Sequence, residues 1–229
     1  MRNFDVLLWD IDGTLLDFLA AEKAAVRSLF AEFGYGECTD EMIGRYSEIN
    51  KSYWEALERG ELTKPVILVR RFEDFFAAEG IETGRAAEFN ELYQLRLGDT
   101  VVYCDGSYEL VKSLRGRIRQ YAVSNGTVVA QTKKLRTSGL GELFDGVFLS
   151  EEIGYEKPAP EFFDAVFAGL GGVKKERVLI VGDSLTSDIL GGVRAGIKAC
   201  WYNPSGSVNE TDTQPDYEIR NLSEIPALL

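Results

Sequence analysis

The 229 residues contain no histidine. That absence removes hydrolysis by Ser-His-Asp or Cys-His, histidine-ligated catalytic zinc and phosphohistidine intermediates, and leaves acid-base work to carboxylates or lysine. Cysteine is scarce: Cys38, Cys104 and Cys200 stand far apart with no Cys-x-x-Cys, so neither a disulfide framework nor a zinc site is indicated, and they read as buried thiols. The cysteine-phosphatase spacing also fails, because Gly44, Leu110 and Gly206 stand where its arginine belongs. No apolar run approaches a membrane span, and Met1 to Asp10 lacks the basic start and cleavage site of a secretory signal, so the expected compartment is the cytoplasm. Lysine and arginine nowhere form a block to offset the net charge of −12, which argues against DNA, RNA and anionic membrane as partners. A small anion held through a metal is still compatible. Finally, "GELFDGVF" has phosphate-loop glycines without the lysine, and no strand leads into Gly-x-Gly-x-x-Gly, so ATPase and dinucleotide readings lose support.

What is present begins with "FDVLLWDIDGTLLD", Phe4 to Asp17. Its short, nearly continuous apolar run suits a strand covered on both faces in a parallel sheet. Asp10 and Asp12 fall where that strand ends, ahead of a permissive Gly13 and a Thr14 able to bond nearby backbone. Open α/β sheets bind ligands at that edge. Two like charges so close need a cation, a shared proton or solvent.

From Phe18 the periodicity is helical for some eighty residues: 18–33, 40–59, 65–78 and 86–97, which stop at Gly34, Gly60, Gly80 and Gly98, the usual helix terminator. From Asp105 helices and strands alternate: helix 108–114, strand 118–124, helix 128–137, strand 146–149, helix 161–168, strand 178–181, helix 188–195, strand 198–202, then a closing strand near Tyr217 and a final helical turn. The pattern predicts an α/β fold, a doubly wound parallel sheet, with an α-helical domain inserted after the first strand. The expected core is 1–16 with 99–229, and the expected insert is 17–98.

Polar clusters recur at the later strand ends. "YAVSNGT" presents Ser124, Asn125 and Gly126; "VLIVGDSLTSD" presents Asp183, Ser184 and Asp188; between them Lys157 precedes Pro158 and Pro160 in "GYEKPAPEFF". Taken singly, Ser124 reads equally as a helix cap, Asp183 as a turn residue and Lys157 as a solvated charge. Four in chain order, each at the correct end of a sheet element, are much harder to dismiss as unrelated caps and turns.

The order Asp-x-Asp-Gly-Thr, Ser-Asn-Gly-Thr, Lys-Pro, Gly-Asp-Ser-x-x-x-x-Asp resembles the haloacid dehalogenase superfamily of phosphatases across the whole core, and the insert looks like that family's cap domain. "DFLAAE", "INKSYWEALERGEL" and "GVRAGIKACWYNP" further resemble its bacterial noncanonical pyrimidine nucleotidase branch. A phosphate monoester repels nucleophiles, so its hydrolysis calls for a metal and a lysine to neutralise charge while a carboxylate attacks in line. The resemblance implies that Asp10 is the nucleophile and that Asp12 carries the proton. It implies Mg2+, with Mn2+ as the other candidate, on Asp10, Asp183 and the Asp12 main-chain carbonyl. Ser124 and the amide of Asn125 would hold the phosphoryl group and Lys157 would balance charge, with Thr14 and Asp188 behind them.

The cap is expected to choose the substrate. Tyr46, Asn50, Tyr53, Trp54 and Leu57 share one helical stripe, which reads either as cap core or as a face where Trp54 or a tyrosine stacks on a base while Asn50 and Arg71 read its polar edge. The expected substrate is a small phosphorylated molecule, a pyrimidine nucleoside 5′-monophosphate, taken by a monomer or dimer. A sugar-phosphate phosphatase is the rival within the superfamily. A phosphoacceptor signalling module is the rival outside it, disfavoured because its acid pair and its phosphoacceptor lie on separate strands of a shorter domain.

Overall fold

The structure, a computed structural model, describes residues 3–229; Met1 and Arg2, placed by the sequence reading in the first domain, lie outside the described residues. In chain order the elements are β1 (Val6–Trp9), α1 (Phe18–Phe33), α2 (Asp40–Glu58), α3 (Lys64–Ala78), α4 (Ala86–Arg96), α5 (Ser107–Leu114), β2 (Arg119–Ser124), α6 (Val128–Ser138), β3 (Gly146–Leu149), α7 (Ser150–Ile153), α8 (Pro160–Leu170), β4 (Val178–Gly182), a π-helical turn (Leu185–Ile189), α9 (Leu190–Ala195), β5 (Lys198–Tyr202), β6 (Tyr217–Ile219) and α10 (Ile225–Leu228). They form two compact units: one ends at Asp17 and resumes over Val102–Leu229, and the other is Phe18–Val101.

The first unit is a six-stranded sheet in the order β3-β2-β1-β4-β5-β6, parallel throughout. β1 lies at its centre, with Trp9 level with Ala122 of β2 on one side and Val181 of β4 on the other. Connections run outward from β1 in one direction through β2 and β3, then in the other through β4, β5 and β6, which makes the carboxyl end of β1 the topological switch point. All four residues of β1 are buried, as a strand covered on both faces requires. Val6 and Leu8 join Val178 and Ile180 in one core with Phe162, Phe163 and Val166 of α8. Trp9 is completely buried, and its indole N–H finds the Gln120 Oε1 at 3.1 Å while Gln120 donates to the Val111 carbonyl, so no buried polar group of this group is stranded. Beside β1, Asp17 N donates to Val102 O at 2.9 Å and Cys104 N to Leu15 O at 3.0 Å, which binds the outgoing and returning chain together.

The second unit is a bundle of α1 to α4 around an aromatic core. Tyr46 stacks on Phe72 with centroids 4.9 Å apart, and Phe72 meets Phe89 at 4.9 Å and Tyr93 at 5.1 Å. Three of the four expected glycine stops hold: Gly34, Gly60 and Gly80 follow their helices at φ 71°, 73° and 68°. Gly98 does not act this way, because Leu97 stays right-handed at φ −54° and the turn closes through Asp99 N onto Arg96 O. The expected helix over 188–195 also differs: a π-helical turn occupies Leu185–Ile189, and α9 begins only at Leu190. Among the described residues no helix is long and apolar enough to cross a membrane.

Candidate active site

At the carboxyl edge of the sheet, Asp10 follows β1, Ser124 ends β2, and Asp183 follows β4. Lys157, from the loop between α7 and α8, reaches into the centre. It is 1% exposed, and its ammonium donates to Asp10 Oδ1 at 2.7 Å, to Asp188 Oδ1 at 2.6 Å and to the Val123 carbonyl at 3.0 Å, which uses all three of its protons. Burial works against the charge on Lys157, but Asp10 and Asp188 outweigh it and hold the ammonium above its ordinary range.

Two further contacts set that lysine. Asn125 clamps its backbone, donating from Nδ2 to Lys157 O and accepting at Oδ1 from Lys157 N, both at 2.8 Å. Asp188 stands on the π-helical turn, capped by Ser184 Oγ on Ser187 N, and its second oxygen accepts from Ser184 N at 3.2 Å. An extra residue in that turn brings a carboxylate back toward the strand end it has just left.

Asp10 is buried, and its Oδ2 has no hydrogen-bond partner. Burial, then the charge of Asp188, push its carboxyl well above the ordinary range; Lys157 opposes them and Asp183 adds to them. Asp183, more open to solvent as a residue, is raised to about 7 by poor solvation of its carboxyl and by Asp188. One oxygen from each of Asp10, Asp183 and Asp188 lies within 4.8 Å of the other two. Three acids facing one buried lysine leave negative charge uncompensated, and an all-oxygen set with an orphaned carboxylate oxygen suits a hard divalent cation. Thr14 is fully buried and donates to Asp183 Oδ1 at 3.2 Å, while Trp201 Nε1 donates to the Asp183 carbonyl at 2.9 Å. Gly13 runs at φ 91°, and a Cβ there would stand 2.5 Å from Asp183 Oδ2, so the first motif needs glycine for both conformation and space. Ser124 is buried, its hydroxyl oxygen accepting from Gly126 N at 3.0 Å.

Asp10, Asp12, Thr14, Ser124, Asn125, Lys157, Asp183 and Asp188 thus all belong to the sheet unit. The side chain of Asp12 turns to α6, where Lys134 and Gln131 meet it. Neither was among the expected site residues, nor was the clamp made by the Asn125 side chain. Their signal was a polar pair three residues apart on the buried face of α6 between Ala130 and Leu135.

The expected base-reading residues of the helical unit need correction. Asn50 and Arg71 are 3% and 1% exposed and bonded into a buried network: Arg71 donates to Asn50 Oδ1 at 2.7 Å and Asn90 Oδ1 at 2.9 Å, and Asn50 donates to Glu22 Oε2 at 2.8 Å. Ser47 also donates to Glu22, and Arg71 lies against the rings of Phe72 and Tyr93. Their polar atoms meet other side chains of the bundle because Glu22, fully buried, needs donors. Tyr46 and Leu57 are core, as the bland reading of the stripe expected, whereas Trp54 is only half-buried.

Residues 4–196 match the family model of haloacid dehalogenase-like hydrolases. YfnB of Bacillus subtilis is 38% identical over 229 residues, covering 100% of this chain and 97% of its own. The pyrimidine 5′-nucleotidase PynA of Streptococcus pneumoniae is 36% identical, covering 97% and 93%, and the pyrimidine 5′-nucleotidase YjjG of Escherichia coli is 29% identical, covering 99% and 98%. The crystal structure of YfnB bound to magnesium superposes with a TM-score of 0.91 over 99% of each chain. With the family pattern running through the strand-end residues that build the site, the protein belongs to the haloacid dehalogenase-like hydrolases.

Proposed function

We propose that this hydrolase is a divalent-metal-dependent phosphomonoesterase working through an aspartyl-phosphate on Asp10, and that it acts as a 5′-nucleotidase on pyrimidine nucleoside monophosphates. The observation that carries the reading is Asp10 itself, one oxygen ion-paired to a buried lysine and the other buried without a partner. A carboxylate so placed is oriented and poorly solvated, as an attacking group should be.

In the first step an Asp10 oxygen bonds to phosphorus as the bond from phosphorus to the nucleoside 5′ oxygen breaks, and that oxygen leaves with a proton from Asp12. In the second step water bonds to phosphorus and gives its proton to Asp12 as the bond to Asp10 breaks, releasing orthophosphate and restoring the carboxylate. Lys157 offsets the negative charge that gathers beside Asp10; the Ser124 hydroxyl and the Asn125 main-chain amide hold phosphoryl oxygens. Asp10, Asp183 and the Asp12 main-chain carbonyl would hold the cation, magnesium before manganese, which supplies charge neutralisation at the phosphoryl oxygens. Asp188 and the Asn125 side chain keep Lys157 in place.

The pyrimidine preference is supported by two nucleotidases among the relatives and by Trp54, an aromatic residue of the stripe that is only partly buried. A panel measuring phosphate release from pyrimidine and purine nucleoside monophosphates and from sugar phosphates, with and without chelator, tests the reading. The expected result is chelator-sensitive turnover with the highest kcat/KM on a pyrimidine nucleotide. A sugar phosphate ahead of every nucleotide would overturn the substrate class, and full activity in chelator would overturn the metal.

A further inference from the structure

Asp12 meets two side chains that lie far from it in sequence. Lys134 Nζ donates to its Oδ1 at 2.5 Å and Gln131 Nε2 to its Oδ2 at 2.5 Å. Residues 131 and 134 lie one above the other on α6. Both are sequestered, Gln131 at 0% and Lys134 at 2% exposure, while the Asp12 side chain keeps 23% of its surface. Burying an ammonium and an amide is unfavourable, and a helix face needed only for packing would carry apolar residues there. The Gln131 amide directs its donor at Asp12 while its own Oε1 is left buried and unpartnered. Gly126 makes room for this: a Cβ there would stand 2.2 Å from Gln131 Nε2.

We propose that Gln131 and Lys134 are positioning residues for the carboxylate of Asp12. Each oxygen has its own donor, so the group cannot rotate freely, and α6 springs directly from the Ser124 to Thr127 loop, which couples the setting of Asp12 to the loop that holds phosphate. The proposal rests on the reading of Asp12 as proton carrier. Positioning of a reacting group is worth about a hundredfold in rate per ångström of misplacement. It matters most where the leaving oxygen needs a proton, as the alkoxide of a nucleotide does, and less for p-nitrophenolate.

The test is steady-state turnover of uridine 5′-monophosphate and p-nitrophenyl phosphate by Lys134→Met, Lys134→Arg and Gln131→Leu, each made also in an Asp12→Asn background, with magnesium saturating. The expected result for Lys134→Met and Gln131→Leu is a fall in kcat on the nucleotide of about ten- to a hundredfold with KM little changed, and a smaller fall on p-nitrophenyl phosphate. Lys134→Arg should recover most of the loss. In the Asp12→Asn background neither substitution should cost anything further. Equal losses on both substrates, repeated in full in that background, would make these residues structural and overturn the proposal. If Asp12→Asn alone harms both substrates equally, the proton-carrier premise fails and takes the proposal with it, a result separable because it appears before α6 is altered. Should Lys134→Met not fold, Gln131→Leu carries the same comparison.

Discussion

Replacing Lys157 with methionine keeps most of the side-chain volume and removes the one cation among three acids. Its contacts with Asp10 at 2.7 Å and Asp188 at 2.6 Å are each worth about 6 kcal/mol of attraction at an effective dielectric constant of about 20. Most of that is offset, because methionine needs no desolvation of a charge. A second limit applies: an acid that has lost its cation takes up a proton instead, which at pH 7 costs about 4 kcal/mol for a carboxyl of ordinary strength. The second limit falls in the range of about 3 to 5 kcal/mol for breaking a buried ion pair by removing one partner. Lys157→Met should therefore lower unfolding free energy by about 3 to 4 kcal/mol, read as a fall in urea midpoint at unchanged slope. Asp188→Asn in the same background should return about 2 kcal/mol, since it removes one of the stranded charges, whereas in the wild type it should destabilise. A loss below about 1 kcal/mol, or two substitutions that simply add, would refute the claim that Lys157 is the electrostatic keystone of the site.

Other expectations follow from the same structure. Gly13→Ala meets both a left-handed backbone at φ 91° and Asp183, so it should lower the affinity for magnesium, measured by activity titration, by about ten- to a hundredfold; unchanged metal dependence would contradict the close approach. Arg71→Met should cost about 3 kcal/mol in urea unfolding, because it leaves Glu22 buried without a countercharge and frees Asn50 and Asn90; a stability equal to wild type would return Arg71 to the substrate-reading role. Burial raises the Glu22 carboxyl above 4.5 against hydrogen bonds from Ser47, Asn50 and Tyr93 and the charge of Arg71, so the folded chain keeps this proton to higher pH than the unfolded one. Its contribution is complete below 4.5 and is lost as pH rises through the raised value, so Glu22→Gln should flatten the fall in Tm that this group causes as pH rises above 4.5; parallel Tm curves would refute it.

The sheet and most of the candidate site were legible because the clusters at Asp10, Ser124 and Asp183 interrupt an apolar strand at its carboxyl end, a local signal that needs no knowledge of partners, whereas Lys157, on the loop between α7 and α8, was marked only by its place before Pro158 and Pro160. The helical unit was legible in outline for the same reason, through periodicity and three of its four glycine stops. What escaped was pairing across the chain. Gln131 and Lys134 lie 119 and 122 positions from Asp12, and only the assembled sheet brings α6 beside β1. Asn50 looked like a reader of substrate because its partner, Glu22, sits 28 residues earlier among Ala21, Ala25 and Val26 on the buried face of α1, where an isolated acid gave notice of a network without naming its members. The π-helical turn was missed because Asp188 fits a helical period from either side; only the Ser184 contacts reveal the extra residue.

The central claim is that Asp10 carries the phosphoryl group between the two steps. Its most direct test is an acid quench of enzyme turning over substrate with magnesium present, followed by proteolysis and mass spectrometry of the peptide that contains both Asp10 and Asp12, with fragmentation to place any added phosphoryl group. The account predicts that group on Asp10, present only during turnover and absent from Asp10→Asn. A phosphoryl group on Ser124 or Asp183 instead, or none at any residue while phosphate is being released in rapid turnover, would contradict it.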